Sequence, residues 1–312
     1  METLNKEKKL VSAVIYLHND EDRIVKFLKT IIQLLKNNFE SFEIIIVNDC
    51  SYDDSVERIK NDELLKKFNV SIVNMSIRQG LEVSMTAGID LSMGDFVYEF
   101  DDLTLDYDEH YIMKAYHHIV SGFDIVSVAP TKDNSLLSGF FYKIFNNSSK
   151  SRYKLRSERF RILSRRAINR AYSISKAIPY RKALYANSGL KMDSLAYIEI
   201  KNSAIKSKKQ ESIFRNKMAL NSIVIYTNLA FQIAIGITIL LFSITLFSGI
   251  YALIIYFGGQ KPIEGWTTTM LLMSSSFSGL FFVLAIIIKY LSLIVELIYS
   301  KKTYLVESVE RI

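Results

Sequence analysis

Residues 42–55 read FEIIIVNDCSYDDS, four apolar β-branched residues from Ile44 to Val47 running straight into a polar turn that carries Asn48, Asp49, Asp53 and Asp54. Branched side chains favour extended backbone. A continuous apolar run, as opposed to an alternating one, marks a strand covered on both faces of a parallel sheet. The pattern recurs outward from this stretch. Val11–Leu17, Val70–Val73, Phe96–Phe100 and Ile125–Val128 read as further strands. Between them Glu21–Leu35, Ser55–Phe68, Leu81–Leu91 and Asp108–Val120 carry apolar residues at helical spacing. In the first of these, Ile24, Phe27, Leu28, Ile31 and Leu35 form one stripe. Strand–helix alternation predicts a doubly wound α/β sheet with right-handed crossovers. Ligands of such sheets bind beyond the carboxyl ends of the strands, which puts His18–Asp20, Asn48–Asp54 and Asp101–Asp108 on the functional rim.

Beyond Pro130 the pattern changes. Leu136–Phe145 is apolar nearly all round, as suits a helix lying on a membrane or against the core. Phe160–Tyr172 reads as an amphipathic helix, with Phe160, Leu163, Ala167 and Ala171 on one side and Arg161, Arg165, Arg166 and Arg170 on the other. Leu195–Ile200 is a candidate strand, and Ile205–Met218 a candidate interfacial helix. Two uncharged stretches follow, Met218–Gln260 and Gly265–Ile288. Roughly 20 apolar residues span the ~30 Å of hydrocarbon, so two membrane helices are expected in 220–299, with a short extracytoplasmic loop near 258–265.

Charge agrees with that placement. The chain carries a net +7, and Lys150–Lys217 holds nineteen Lys or Arg against four acids, so the rest is net acidic. Arg215 and Lys217 before the first span, and Lys301–Lys302 after the second, keep both ends cytoplasmic by the positive-inside rule. A basic belt there also attracts anionic lipid, at about 1 kcal/mol per Lys or Arg near the surface. No nucleic-acid-binding module accompanies it. The stretch before Val11 has no apolar core of the secretion-signal kind. A single cysteine, Cys50, excludes an internal disulfide, and the four histidines show no metal-ligand spacing.

The order of motifs resembles the inverting family 2 glycosyltransferases of GT-A fold, more narrowly the polyprenyl-phosphate glycosyltransferases that include dolichyl-phosphate mannose synthases. VSAVIYLHNDEDRI (11–24) is similar to the family's V-S-V-V-I-P-x-Y-N-E-E start, and IIIVNDCSYDDS (44–55) to its V-x-D-G-S-x-D-x-S/T. GLEVSMTAGIDLSMGD (80–95) keeps the spacing G-x-E-x-x-x-x-A-G-x-D, with Arg78 one residue off the family's usual arginine. FRILSRRA (160–167) resembles the subgroup's F-R-L-x-S/D-R-R, KKQESIF (208–214) its G-x-S-K-Y, and KYLSLIVELIYSKKTYLV (289–306) the end of its second span. Single matches are weak; six in order across the chain are specific.

The resemblance implies a GT-A, Rossmann-like, mostly parallel sheet over residues 1–150 that binds a nucleotide-sugar. A basic acceptor-side and interfacial region then fills 151–219, and a cytoplasmic tail 300–312. Asp20, Asp49, Arg78, Gly80 and Asp101 are the implied donor contacts. Asp101 and Asp102 are the implied ligands of Mg²⁺ or Mn²⁺, a hard cation that takes one or two carboxylates beside substrate phosphates. Asp101, Asp102 and Arg161 are the implied catalytic residues. Arg161, Arg165, Lys208, Lys209 and Ser212 are the implied ligands of the acceptor phosphate, undecaprenyl or dolichyl. A homo-oligomer, up to a tetramer, is also implied.

Three departures stand out. The family's D-x-D-L-Q-D is D-D-L-T-L-D here, with Leu103 at the second metal-binding Asp and Asp106 at the last. Tyr16 replaces the usual Pro, and Cys50 the usual Gly; a Cys where φ is positive is expected to change the turn. They leave open a second reading, a membrane-tethered scaffold that binds without turnover. A processive polysaccharide synthase is disfavoured, since its Q-x-x-R-W is absent and the only tryptophan is Trp266.

Overall fold

The computed structural model describes residues 6–131, 153–174, 180–200, 265–299 and 304–312, with Tyr142, Asn146 and a few positions between 236 and 247. The chain divides into two compact units, Met1–Ala219 with Lys301–Ile312, and Leu220–Ser300.

The first unit is built on the expected alternation: β1 (Val11–Leu17), α1 (Ile24–Asn38), β2 (Phe42–Asn48), α2 (Ser55–Lys60), β3 (Val70–Met75), α3 (Leu81–Leu91), β4 (Phe96–Phe100), α4 (His110–Val120) and β5 (Ile125–Pro130). After it come β6 (Phe160–Ser164), α5 (Arg165–Ile174), α6 (Arg181–Ala186) and β7 (Met192–Tyr197). The strands form one eight-stranded sheet in the order β7-β5-β6-β4-β1-β2-β3-β8, where β8 is Val306–Arg311. β1 pairs in parallel with β2 and β4, β2 with β3, and β5 with β7. β6 runs antiparallel between β4 and β5, and β8 antiparallel to β3.

The run Ile44–Val47 shows why the middle strands lack alternation. Ile44 and Ile46 enter the core under α1 and α4, while Ile45 and Val47 enter the opposite core under α3 and α5. Each such side chain contributes about 1.5–3 kcal/mol on leaving water. The α1 stripe of Ile24, Phe27, Leu28, Ile31 and Leu35 is wholly buried in the first core. α3 lies so close to the sheet that a Cβ on Gly88 would stand 2.5 Å from Val14 and Val47.

Several expectations are corrected. Phe160–Tyr172 is not one helix: its first five residues are β6, which fills the slot between β4 and β5. FRILS satisfies both periodicities, and two open strand edges decide for the extended form, sending Phe160 and Ile162 to one core and Leu163 to the other. The strand expected at 195–200 lies three residues earlier, at Met192–Tyr197. The helix expected over Ser55–Phe68 stops at Lys60, and a 3₁₀ turn covers Leu65–Lys67. Residues 306–311, read as part of a tail, are the edge strand β8.

The second unit contains α7 (Trp266–Tyr299), within which Ser275–Ile294 is long and apolar enough to cross a membrane. Among the described residues this is the one such helix. Most of the other expected span, like Leu136–Phe145 and Ile205–Met218, falls outside the described residues.

Candidate active site

β2 and β4 flank β1, and each ends in an aspartate at its carboxyl end: Asp49 directly after β2, Asp101 directly after β4. This is the rim that the topology assigns to ligands.

Asp49 is fully buried. Its Oδ1 accepts from the N–H of Gln79 at 2.7 Å, and its Oδ2 from the N–H of Gly80 and the hydroxyl of Tyr16, both at 2.9 Å. Tyr16, at the family's proline position, thus supplies a hydroxyl to this carboxylate. Gly80 sits at φ +85°, a conformation open to glycine without strain, and caps α3. His18 Nδ1 donates to the Asp49 carbonyl at 2.7 Å. Cys50 does not change the turn: it takes φ +51° itself, and its thiol donates to the Met75 carbonyl at 3.1 Å. Burial pushes that thiol pKa up, and the Asp49 charge adds to the effect. Asp20 is turned inward on Arg23, with which it forms an ion pair, and Arg78 is exposed on the loop before Gly80.

Asp101 is held by charge. Its Oδ2 lies 2.5 Å from Arg161 Nη2 and its Oδ1 2.7 Å from Arg181 Nη2. Arg161 also pairs with Glu99 at 2.9 Å and Glu158 at 3.1 Å; Arg181 pairs with Glu99 at 2.7 Å and Glu82 at 2.8 Å. Tyr185 donates to Glu99 at 2.7 Å. Both guanidiniums are buried, so four carboxylates surround two cations away from water. Burial raises the Asp101 pKa, but Arg161 and Arg181 outweigh it and hold the carboxyl well below the usual range. At Glu99 burial prevails over the same two arginines, and its pKa is raised.

Asp102 points outward beside this cluster, half-buried, with Oδ1 accepting from the Thr104 N–H at 2.6 Å and Arg159 3.6 Å from Oδ2. Arg159 also grips Asp106 at 2.6 Å, and Tyr197 donates to Asp106 at 2.7 Å. Leu103, at the family's second metal Asp, is buried. Among the described residues no three His, Cys, Asp or Glu side chains cluster as a ready-made cation cage. Both Asp101 oxygens already face arginine, so Asp102 would be the carboxylate that holds a divalent cation here, with phosphate oxygens and water supplying the other ligands as Mg²⁺ usually takes them.

Of the residues expected at the site, Asp49, Gly80, Asp101, Asp102 and Arg161 gather on or under the rim. Arg161 is fully enclosed by Glu99, Asp101 and Glu158, which suits it to positioning Asp101 and leaves no face for a lipid phosphate. Arg165 lies at the other end of the sheet, donating to the carbonyls of Ser92 at 2.9 Å and Gly94 at 2.6 Å before β4 begins. Lys208, Lys209 and Ser212 fall outside the described residues. Sequence reasoning missed Arg181 and gave no part to Glu82, although Glu82 stands within the matched G-x-E spacing. At the start of α2, Asp54 makes no side-chain cap bond; Asp53 takes that part, accepting from the Ser55 N–H at 3.2 Å.

A sheet of this order, with acidic turns after β2 and β4, is an α/β fold of GT-A type. The family model described as glycosyl transferase family 2 matches residues 12–187, more than half of the chain. This chain belongs to that family and is a glycosyltransferase. It is 20% identical over 303 residues to the uncharacterized glycosyltransferase YkcC of Bacillus subtilis, covering 95% of this chain and 93% of that one. It is 24% identical to the bactoprenol glucosyl transferase of Shigella phage SfV, over 86% of this chain and 88% of the other. To the undecaprenyl-phosphate 4-deoxy-4-formamido-L-arabinose transferase of Aeromonas hydrophila it is 27% identical, over 39% of this chain and 37% of that enzyme. Among solved structures, the mannosyltransferase PcManGT from Pyrobaculum calidifontis, in complex with GDP-Man and Mn²⁺, is similar in fold. There the TM-score is 0.51 at 11% identity, over 70% of this chain and 64% of that one.

Proposed function

We propose that this glycosyltransferase moves a sugar, with inversion, from a nucleotide-sugar to a polyprenyl phosphate of the undecaprenyl type at the cytoplasmic membrane face. The observation that carries the reading is the paired rim: the buried Asp49 turn, against which the nucleoside would rest, and beside it, across β1, the Asp101–Asp102 edge where a diphosphate and its cation would lie. The names of the phage and Aeromonas relatives support the lipid acceptor. Mg²⁺ or Mn²⁺, leaning on Asp102 with Asp101 behind it, would offset charge on the departing diphosphate.

The chain's own residues do the rest. Arg161 and Arg181 keep Asp101 ionised and fixed, so the rim stays acidic at neutral pH. A phosphate monoester has a second pKa of about 6, so the attacking oxygen is already anionic and needs placement more than a base. That is consistent with Asp106, the family's last Asp, being engaged by Arg159 and Tyr197.

Topology supports two crossings. β8 rejoins the sheet immediately after the membrane unit, so segment 220–300 leaves and returns on one side of any bilayer it enters. That favours an even number of crossings, of which α7 would be one. The basic residues flanking both ends favour the cytoplasmic side. Assembly of copies through the membrane helices belongs to the same reading.

Full-length protein, Mg²⁺ or Mn²⁺, a panel of UDP- and GDP-sugars, and either undecaprenyl phosphate or undecaprenol test it. Product on the phosphate and none on the alcohol is expected; equal transfer to both contradicts the acceptor assignment. The second reading, a non-catalytic binder, draws on buried Leu103 and predicts nucleotide binding with no product from any donor.

A further inference from the structure

The turn that holds Asp49 is gripped from outside by the segment that follows the membrane helix. Gln79 Nε2 donates to the Leu305 carbonyl at 2.7 Å, and Gln79 Oε1 accepts from the Leu305 N–H at 2.8 Å. An amide side chain set this way copies one rung of a β ladder, just before β8 begins. Ser76 gives the same carbonyl two further bonds, from its N–H at 3.1 Å and its hydroxyl at 3.2 Å. β8 is itself anchored by side chains: Asn74 donates to Ser308 at 3.0 Å and Glu310 at 2.9 Å, and Lys60 pairs with Glu310 at 2.5 Å.

Gln79 and Gly80 then present their N–H groups to the two oxygens of Asp49. Two residues on, Glu82 accepts from the Arg181 N–H at 3.0 Å and from its Nε at 2.8 Å, and Arg181 reaches Asp101. One unbroken run of bonds therefore links Leu305 to both halves of the rim. Its first step joins residues 226 positions apart in the chain.

We infer that Gln79 is a positioning residue and that Tyr304–Arg311 is a working part of the donor site, holding the Gln79–Gly80 turn in its nucleotide-binding shape. This rests on the reading of the Asp49 turn as the nucleotide site. The donor turn is complete only in a chain whose segment after α7 has come back to β3. A chain that has not threaded its membrane segment back to the sheet binds donor poorly.

The test uses full-length protein in detergent, comparing wild type with Gln79→Ala, Gln79→Glu and Leu305→Pro. Glutamate keeps the acceptor for the Leu305 N–H and loses the donor; proline at 305 removes that N–H, leaving residue 79 unaltered. Val120→Thr, at an exposed position at the end of α4, is the control. Two quantities are read: hydrogen exchange at the amides of Gln79, Gly80 and Leu81, and the affinity for UDP and GDP. Faster exchange at these amides and about tenfold weaker nucleotide binding are expected for Gln79→Ala, the effect of losing two neutral hydrogen bonds. Gln79→Glu and Leu305→Pro should fall between it and wild type, and the control should match wild type. Unchanged exchange overturns the clamp whether or not nucleotide binds. Faster exchange with unchanged affinity overturns the positioning role. Wild type that binds neither nucleotide refutes the donor reading and, with it, the role assigned to Gln79, while exchange still reports on the clamp itself.

Discussion

Asp49 and Asp101 leave the two strands that flank β1, and both have each carboxylate oxygen occupied, yet they are held by opposite means. Asp49 is surrounded by neutral donors, two main-chain N–H groups and the Tyr16 hydroxyl. Asp101 is locked between two buried guanidiniums that it shares with Glu82, Glu99 and Glu158. A neutral shell tolerates loss of one bond with a local penalty. A charged shell away from water does not, because removing one member strands the others. The Asp49 half of the rim is therefore adjustable, and the Asp101 half is rigid and costly to disturb.

The largest effect should come from breaking the charged half. Arg181→Met leaves Glu82 without its cation and Glu99 and Asp101 with Arg161 alone, and stripping one partner from a buried pair costs about 3–5 kcal/mol. Chemical denaturation of the full-length protein would measure it, and a loss below about 1 kcal/mol would erase the contrast. On the proposed reading, Asp101→Asn should lower transfer about 100-fold or more, because the diphosphate edge would lose its fixed charge. The same variant tests a pH effect. The Asp101 pKa is depressed in the folded chain, so the unfolded chain takes up that proton first. Its stabilisation is full above the ordinary Asp value of about 3.9 and fades as pH falls below it. The stability gap between wild type and Asp101→Asn should accordingly narrow below about pH 4.

Smaller effects belong to the neutral half. Asp49→Asn turns one acceptor into a donor facing an N–H, a loss of about 1–3 kcal/mol that should appear in nucleotide affinity. Arg165→Ala, at the far end of the sheet, should cost about 1 kcal/mol of stability and leave KM and kcat for transfer unchanged. A collapse of transfer in that variant would return Arg165 to the site.

The two halves were also unequally legible in the sequence. β2, the Asp49 turn and the span of α3 follow from local pattern, because their partners lie in the adjoining strand–helix units, 30 and 33 residues away for Asp49. The extent of the Asp101 cluster does not. Arg161 and Arg181 reach it from 60 and 80 residues away, and nothing near Asp101 announces Arg181. β6 was hidden because FRILSRRA fits a helical stripe as well as a strand, and only the vacancy between β4 and β5 separates the two. β8 was hidden because VESVER alternates weakly, and its partner β3 stands more than 200 residues earlier. Cys50 shows the reverse: the sequence rule against positive φ yields where flanking strands and the Met75 carbonyl fix the turn.

The most direct measurement is an experimental structure of the full-length protein with a non-transferable nucleotide-sugar and Mn²⁺. The base should rest against the Asp49–Gly80 turn and the diphosphate against Asp101 and Asp102, with Arg161 and Arg181 still gripping Asp101. Nucleotide bound away from the β2 and β4 ends, or a diphosphate turned from Asp102, would contradict the account.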